Sequence, residues 1–188
     1  MNWLHRRLCA SRLWRRQVAG DLLPWALSGV TLGGDLLEIG PGPGAATDLL
    51  ISRVRHLTCV EIDPAFAARL ARRFATPGIT VRCEDATQLS APDGAFDTVL
   101  CLMMLHHVSP EPRQDRLLAE AARVLRPGGT FVMLELTTNP VTSLLHVGDT
   151  LVPVNPQTIE DRLLRAGLDG VAVDRRSYAF RVVARRPS

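Results

Sequence analysis

At 188 residues, 46% hydrophobic and 22% charged, the chain suits one globular domain with a sizeable core, and disorder over most of its length is excluded. All basic side chains behind the net charge of +3 are arginines; with no lysine in the sequence, catalysis through a lysine Schiff base is excluded. No apolar run approaches the roughly 20 residues of a membrane span, and the opening MNWLHRRLCASRLWRR interrupts its apolar residues with arginines before a secretory h-region forms, so a soluble, cytoplasmic protein with no integral membrane segment is expected.

Residues 3 to about 28 read as helical, with Leu4, Leu8, Trp14 and Val18 available for one apolar face. Residues 1–30 are expected to form a lid or cap within a single 1–188 domain, laid over the carboxyl edge of the sheet that follows. A basic amphipathic helix of this kind also suits a structural cap or a membrane surface.

The stretch LLEIGPGPG, Leu36 to Gly44, then carries the strongest local signal: an apolar run ends in an acid and opens into glycines at every second position. A buried strand thus empties into a loop with little side-chain bulk. Gly40, Gly42 and Gly44, lacking a Cβ, let a ligand approach main-chain N–H groups, and Pro41 and Pro43 stiffen the turn.

Beyond it, Leu57 to Glu61, Ile79 to Arg82, Phe96 to Leu102 and Thr130 to Leu136 read as strands, as does Leu36 to Ile39. Helical spacing fills Ala45 to Arg55, Pro64 to Phe74 and Pro112 to Leu125 between them. Asp63 followed by Pro64 gives an N-cap and a proline at the first helical position, and Pro127 with Gly128 and Gly129 ends the third helix near Arg126. Thr137 to Asn155 is a long connection with a short helix around Ser143 to His146, Thr158 to Ala166 a helix, and two strands near Val171 to Asp174 and Tyr178 to Ala184 close the chain as a hairpin. The expected fold is therefore α/β: a doubly wound, mostly parallel seven-stranded sheet with helices on both faces and one antiparallel strand in the C-terminal hairpin.

Cys9, Cys59, Cys83 and Cys101 form no CxxC pair and have no histidine at zinc-ligand spacing, so they read as small hydrophobes in a reducing compartment and no metal site is expected.

Three acids fall where strand ends converge. Glu38 closes the first strand, Glu61 the second, and Asp85 follows the third. Carboxyl ends of neighbouring strands line one crevice in such sheets. Glu61, about 20 residues past the glycine loop, suits both hydroxyls of a ribose. Glu38 beside the loop disfavours a pyrophosphate and favours an ammonium or sulfonium, and Asp85 suits an exocyclic amine. Ribose, adenine and a cationic amino-acid tail together describe S-adenosylmethionine.

Taken in order, LLEIGPGPG, VEID (Val60 to Asp63), EDATQLS (Glu84 to Ser90), FDTVLCLMMLHHV (Phe96 to Val108) and VLRPGG (Val124 to Gly129) resemble the motifs of class I S-adenosylmethionine-dependent methyltransferases over roughly residues 35 to 136. The closing AGLDGVAVDRRSYAFRVVARRP resembles the family's last strands. The resemblance implies that Gly40 and the loop backbone hold the methionine part, Glu38 its ammonium, Glu61 the ribose, and Asp85 with Ala86 the adenine. It further implies that Ile62 packs on the base and that Cys101 and Leu102 border the sulfonium.

His106 and His107, after the fourth strand, are candidate catalytic groups that deprotonate or orient an acceptor, or else pack the loop. Glu135, His146 and Asp149, at and beyond the end of the fifth strand, are candidate substrate contacts, and Met103, Met104, Leu144 and Leu145 candidate apolar walls. The chain lacks an NPPY-like segment after the fourth strand and its charge is only mildly basic, which argues against a nucleic-acid acceptor and for a small-molecule or lipid-like one. GxGxxA spacing through Gly40, Gly42 and Ala45 also fits an NAD(P)-dependent oxidoreductase, and a non-catalytic cofactor-binding module and a homodimer both stay open.

Overall fold

The computed structural model describes residues 3–137, 148 and 150–188. Helices α1 (Trp3–Cys9) and α2 (Arg12–Gln17), a π-turn (Val18–Leu22) and α3 (Leu23–Ala26) precede β1 (Asp35–Ile39). There follow α4 (Thr47–Leu50), β2 (His56–Val60), α5 (Pro64–Arg73), β3 (Ile79–Arg82), β4 (Phe96–Leu102), a 3-10 turn (Leu105–His107) and α6 (Glu111–Val124). The chain closes with β5 (Leu125–Leu136), α7 (Ile159–Arg165) and the hairpin β6 (Asp169–Arg175) and β7 (Ala179–Arg185).

The sheet order is β3-β2-β1-β4-β5-β7-β6. Strand β7 runs antiparallel to both β5 and β6, and the other pairings are parallel. Chain order reverses between β1 and β4, which puts a crevice at their carboxyl ends.

Because side chains alternate across a pleated strand, continuous apolar runs in a sheet covered on both sides feed two cores. Leu37, Val99, Cys101, Phe131 and Met133 pack with Leu117, Leu118, Ala121 and Ala122 of α6 and with Ile159 and Leu163 of α7. Their neighbours Leu36, Leu100, Leu102, Val132 and Leu134 pack on the other face with Val18, Leu22, Leu23 and Ala26 of the N-terminal segment and Leu50 of α4. The N-terminal segment is thereby part of the core at one end and reaches the crevice at the other.

Three elements depart from the sequence expectations. The single helix expected over residues 3 to 28 is broken after Cys9, where Ser11 caps α2 by accepting the Trp14 N–H, and ahead of Pro24, which has no N–H to give to the Gly20 carbonyl, it widens so that the Leu23 N–H bonds to Val18 O, five residues back. Regular helix after the glycine loop is confined to Thr47–Leu50. The VLRPGG turn is drawn into β5 from Leu125, because Phe96 pairs with Leu125 and the Gly128 N–H bonds to Arg186 O at 2.9 Å. The expected helix around Ser143 to His146, the contacts assigned to Leu144, Leu145, His146 and Asp149, and the Leu4 side chain lie outside the described residues.

Candidate active site at the carboxyl edge of the sheet

A cavity of about 430 Å³ opens at the carboxyl ends of β1, β2 and β4. Its size falls within the roughly 300–1,000 Å³ of small-molecule and cofactor sites. It is lined by Glu38, Gly40 and Gly42 from the end of β1, Glu61 and Ile62 from β2, and Asp85 and Ala86 after β3. Leu102, Met103, Met104 and His107 close the β4 side, and Cys9, Trp14 and Val18 form a roof from the N-terminal helices.

Glu61 is the organising residue. One carboxylate oxygen accepts the Gly42 N–H at 2.9 Å and the other the Asp63 N–H at 3.0 Å. Burial raises its pKa above the usual carboxylate value, against the pull of those two amides. Each oxygen has a further lone pair with which to accept, and the residue lines the cavity.

The glycines divide their labour. A Cβ on Gly42, at φ +53°, would meet nothing within 4 Å, so this is where main chain is open to a ligand. A Cβ on Gly40 would meet Met104 Cγ at 2.8 Å and one on Gly44 would meet Leu70 Cδ2 at 2.8 Å, so these two serve close packing of the loop on the β4 turn and on α5.

Glu38, only 2% exposed, accepts the Thr47 hydroxyl at 2.7 Å and faces the Cys59 thiol at 3.6 Å. Burial, offset in part by the Thr47 and Cys59 hydrogen bonds, pushes its pKa up to about 7. An adjacent cation would favour its charged form.

Asp85 accepts the Thr87 N–H at 2.9 Å and pairs with Arg113. Burial works to raise its pKa, but the Thr87 hydrogen bonds and the Arg113 charge outweigh it and hold the carboxyl below its ordinary value. Ile62, 63% exposed, lines the same cavity with an apolar surface.

Two expected positions fall elsewhere. Cys101 is fully buried and packs with Val99 and Met133 on the opposite face from Leu102, since consecutive strand residues point to opposite sides; Leu102 alone of the pair reaches the cavity. Glu135 is also enclosed: its carboxylate accepts the Leu105 N–H at 2.7 Å and lies 2.6 Å from His106 Nδ1. Glu135 and His106 thus brace the 105–107 turn from behind, and His107 faces the cavity with Nδ1 3.2 Å from the Thr150 carbonyl. A carbonyl only accepts, so Nδ1 carries a hydrogen in this contact.

The roof is tied down by a contact that the sequence did not announce. Arg6 bonds to Asp63 at 2.6 Å and lies 4.3 Å from the centre of the Phe66 ring. Asp63 meanwhile caps α5 through the Ala65 and Phe66 amides. Asp63 reads from sequence as an N-cap; its second oxygen, and Cys9 and Phe66 as lining, carry no local signal because they depend on how α1 lies across the sheet.

Along one edge the cavity therefore presents an open glycine backbone, the Glu61 carboxylate, the apolar Ile62 side chain and the buried acid Glu38. Among the described residues, no cluster of His, Cys, Asp or Glu is arranged to hold a metal ion, and no helix is long and apolar enough to cross a membrane.

The sheet order, the closing antiparallel strand and this edge define the fold of class I S-adenosylmethionine-dependent methyltransferases. The chain belongs to the methyltransferase-domain family, whose model matches residues 37–133. It is similar to the demethylmenaquinone methyltransferase of Tropheryma whipplei, 34% identical over 127 residues that cover 66% of this chain and 48% of that protein. It is also similar to the phosphatidylethanolamine N-methyltransferase of Cereibacter sphaeroides, 37% identical over 106 residues that cover 54% of this chain and 50% of that protein. The chain thus spans about half the length of these curated relatives. Among solved structures, the N-methyltransferase NodS of Bradyrhizobium japonicum, in complex with S-adenosyl-L-homocysteine, shares the fold with a TM-score of 0.70 at 20% identity, covering 92% of this chain and 87% of that one.

Proposed function

We propose that the protein is a cytoplasmic S-adenosylmethionine-dependent methyltransferase acting on a small-molecule or lipid-like acceptor. The observation that carries this reading is the placement of Glu61, its carboxylate held by the Gly42 and Asp63 amides at the cavity edge with Ile62 exposed beside it. Family membership and the similarity to methyltransferases named for a quinone precursor and a phospholipid support it. Cys59 and Cys101 are buried in the two cores as small hydrophobes, in keeping with a reducing compartment.

When bound, S-adenosylmethionine supplies a methyl group already activated by a positively charged sulfur. The chain's own work is to bind, align and desolvate. Glu61 holds the ribose hydroxyls, the open Gly42 backbone and Glu38 take the amino-acid end, and Ile62, Ala86 and Asp85 take the base. Trp14, Cys9 and Val18 exclude water from above. Alignment of two bound reactants accounts for roughly 7–11 kcal/mol of barrier lowering in general. His107, which lines the cavity with Nδ1 3.2 Å from the Thr150 carbonyl, deprotonates or orients the acceptor. Met103 and Met104 give an adaptable apolar wall for the acceptor.

Calorimetric titration with S-adenosylmethionine and with NAD tests the cofactor: binding of the first alone supports the reading, and binding of NAD alone rejects it in favour of an oxidoreductase. Incubation with methyl-labelled S-adenosylmethionine and fractionated small-molecule and lipid extracts tests transfer. Label appearing in no fraction while the cofactor binds would assign the protein as a non-catalytic module.

A further inference from the structure

We propose that α1 and α2 dock the protein onto an anionic phospholipid surface, their outer faces meeting the headgroups while their inner faces roof the cavity. The first twenty residues carry Arg6, Arg7, Arg12, Arg15 and Arg16 and no acid. Cys9, Trp14 and Val18 turn inward, but Trp3 is 69% and Leu13 75% exposed, and Arg7, Arg12 and Arg16 are exposed with them. The Arg7 guanidinium lies 5.9 Å from the Trp3 ring centre. A roof needs only its inner face to be apolar. Large apolar side chains set among arginines on the solvent side are the composition of helices that lie in a membrane interface.

A second, smaller cavity adjoins this surface. It encloses about 250 Å³ between α2, the outer side of the glycine loop and α5, and is lined by Arg15, Arg69 and Arg73. Arg15 Nε is buried there with no hydrogen-bond partner. Asp48 neutralises Arg73 within this lining, and the neighbouring Asp63 pairs with Arg6. The remaining charge is positive, and the oxygens of a phosphodiester headgroup would complement Arg15 and Arg69 at a position continuous with the exposed helices. The docked face would set the cavity roof against the bilayer. This inference does not depend on the identity of the methyl acceptor.

The test is co-sedimentation of the full chain with vesicles of phosphatidylcholine alone and of phosphatidylcholine mixed with phosphatidylglycerol, with S-adenosylhomocysteine binding measured in parallel. The protein is expected to sediment with the anionic vesicles only, less so as salt is raised. Arg12→Gln and Arg16→Gln should each weaken the partition roughly fivefold, and Trp3→Ala with Leu13→Ser should weaken it further, with S-adenosylhomocysteine binding unchanged in every variant. Absence of sedimentation, equal sedimentation with neutral vesicles, or indifference to both sets of substitutions would overturn the proposal. So would displacement by inorganic phosphate together with unaltered vesicle binding by the Trp3 and Leu13 variant, which would mark a site for free phosphate. Failure of S-adenosylhomocysteine binding by the unaltered chain would instead count against the proposed function.

Discussion

Glu61 Oε2 accepts the Gly42 amide at 2.9 Å, so the tip of β2 clamps the glycine loop that ends β1. The residue proposed to hold the cofactor's ribose is thus also a strut of the loop that receives its amino-acid end. Glu61→Ala should weaken S-adenosylmethionine binding at least tenfold, since charge-assisted hydrogen bonds contribute about 1.5–3 kcal/mol each. It should also lower stability, because the Gly42 and Asp63 amides lose their acceptor. Calorimetry and urea unfolding on the same preparation separate the two effects, and an unchanged dissociation constant would show that Glu61 is not the ribose ligand.

Glu38 predicts a pH dependence. Its folded pKa of about 7 lies above the ordinary value of 4.5, burial being the main cause. A carboxyl shifted upward favours the folded state while it is protonated and loses that contribution as pH rises through the window from 4.5 to about 7. The loss attributable to this one group is about 3 kcal/mol. Unfolding free energies measured across that window should fall toward neutral pH, and Glu38→Gln should flatten the decline.

The same titration couples to binding. If a cationic tail settles beside Glu38, its charged form is favoured and binding near pH 6 releases protons. Titrations with S-adenosylmethionine in buffers of different ionisation enthalpy should register this release, and Glu38→Gln should reduce it. A proton count that the substitution leaves unchanged would place the cation elsewhere.

Behind the cavity, the His106–Glu135 contact predicts a stability phenotype distinct from that of its neighbour. Glu135→Ala would leave the Leu105 amide and His106 Nδ1 without their buried acceptor, at about 1–3 kcal/mol each. His107→Ala, at a half-buried cavity position, should lower unfolding free energy less than Glu135→Ala does, while lowering methyl transfer about a hundredfold. Equal effects of both substitutions on stability, or full transfer by the His107 variant, would contradict this division of roles.

The strands were legible because a parallel sheet covered on both faces writes itself as apolar runs: Leu36 to Ile39 and Phe96 to Leu102 each feed two cores by alternation. The convergence of Glu38, Glu61 and Asp85 on one cavity followed from strand-end position alone. Side-chain parity along β4 separates Cys101 from Leu102, although the family motif names them together. Contacts made across crossovers were out of reach. Arg6 meets Asp63 across 57 residues and His106 meets Glu135 across 29, and neither distance is implied by local periodicity. Ser11 as a cap and Pro24 as the cause of the widened turn are local signals in the sequence, but the apolar spacing over residues 3 to 28 runs through both.

The glycine loop offers a contrast between adjacent positions. Gly42→Ala places a methyl in open space at φ +53°, so it should cost about 1–2 kcal/mol in stability and intrude on bound cofactor. Gly44→Ala combines a similar φ penalty with a 2.8 Å contact to Leu70, so its loss of stability should be the larger and its effect on affinity the smaller. Thermal unfolding and titration of the two variants read the contrast directly.

An adenosine with a sulfur-bearing amino-acid tail is proposed to lie along the carboxyl edge of this sheet. A crystal structure of the chain with S-adenosylhomocysteine would locate it. The ribose hydroxyls are expected on Glu61, the base against Ile62 and the amino-acid end over Gly42. The same compound bound away from Glu61 and Gly42, or a complex in which NAD and not S-adenosylhomocysteine occupies this edge, would contradict it.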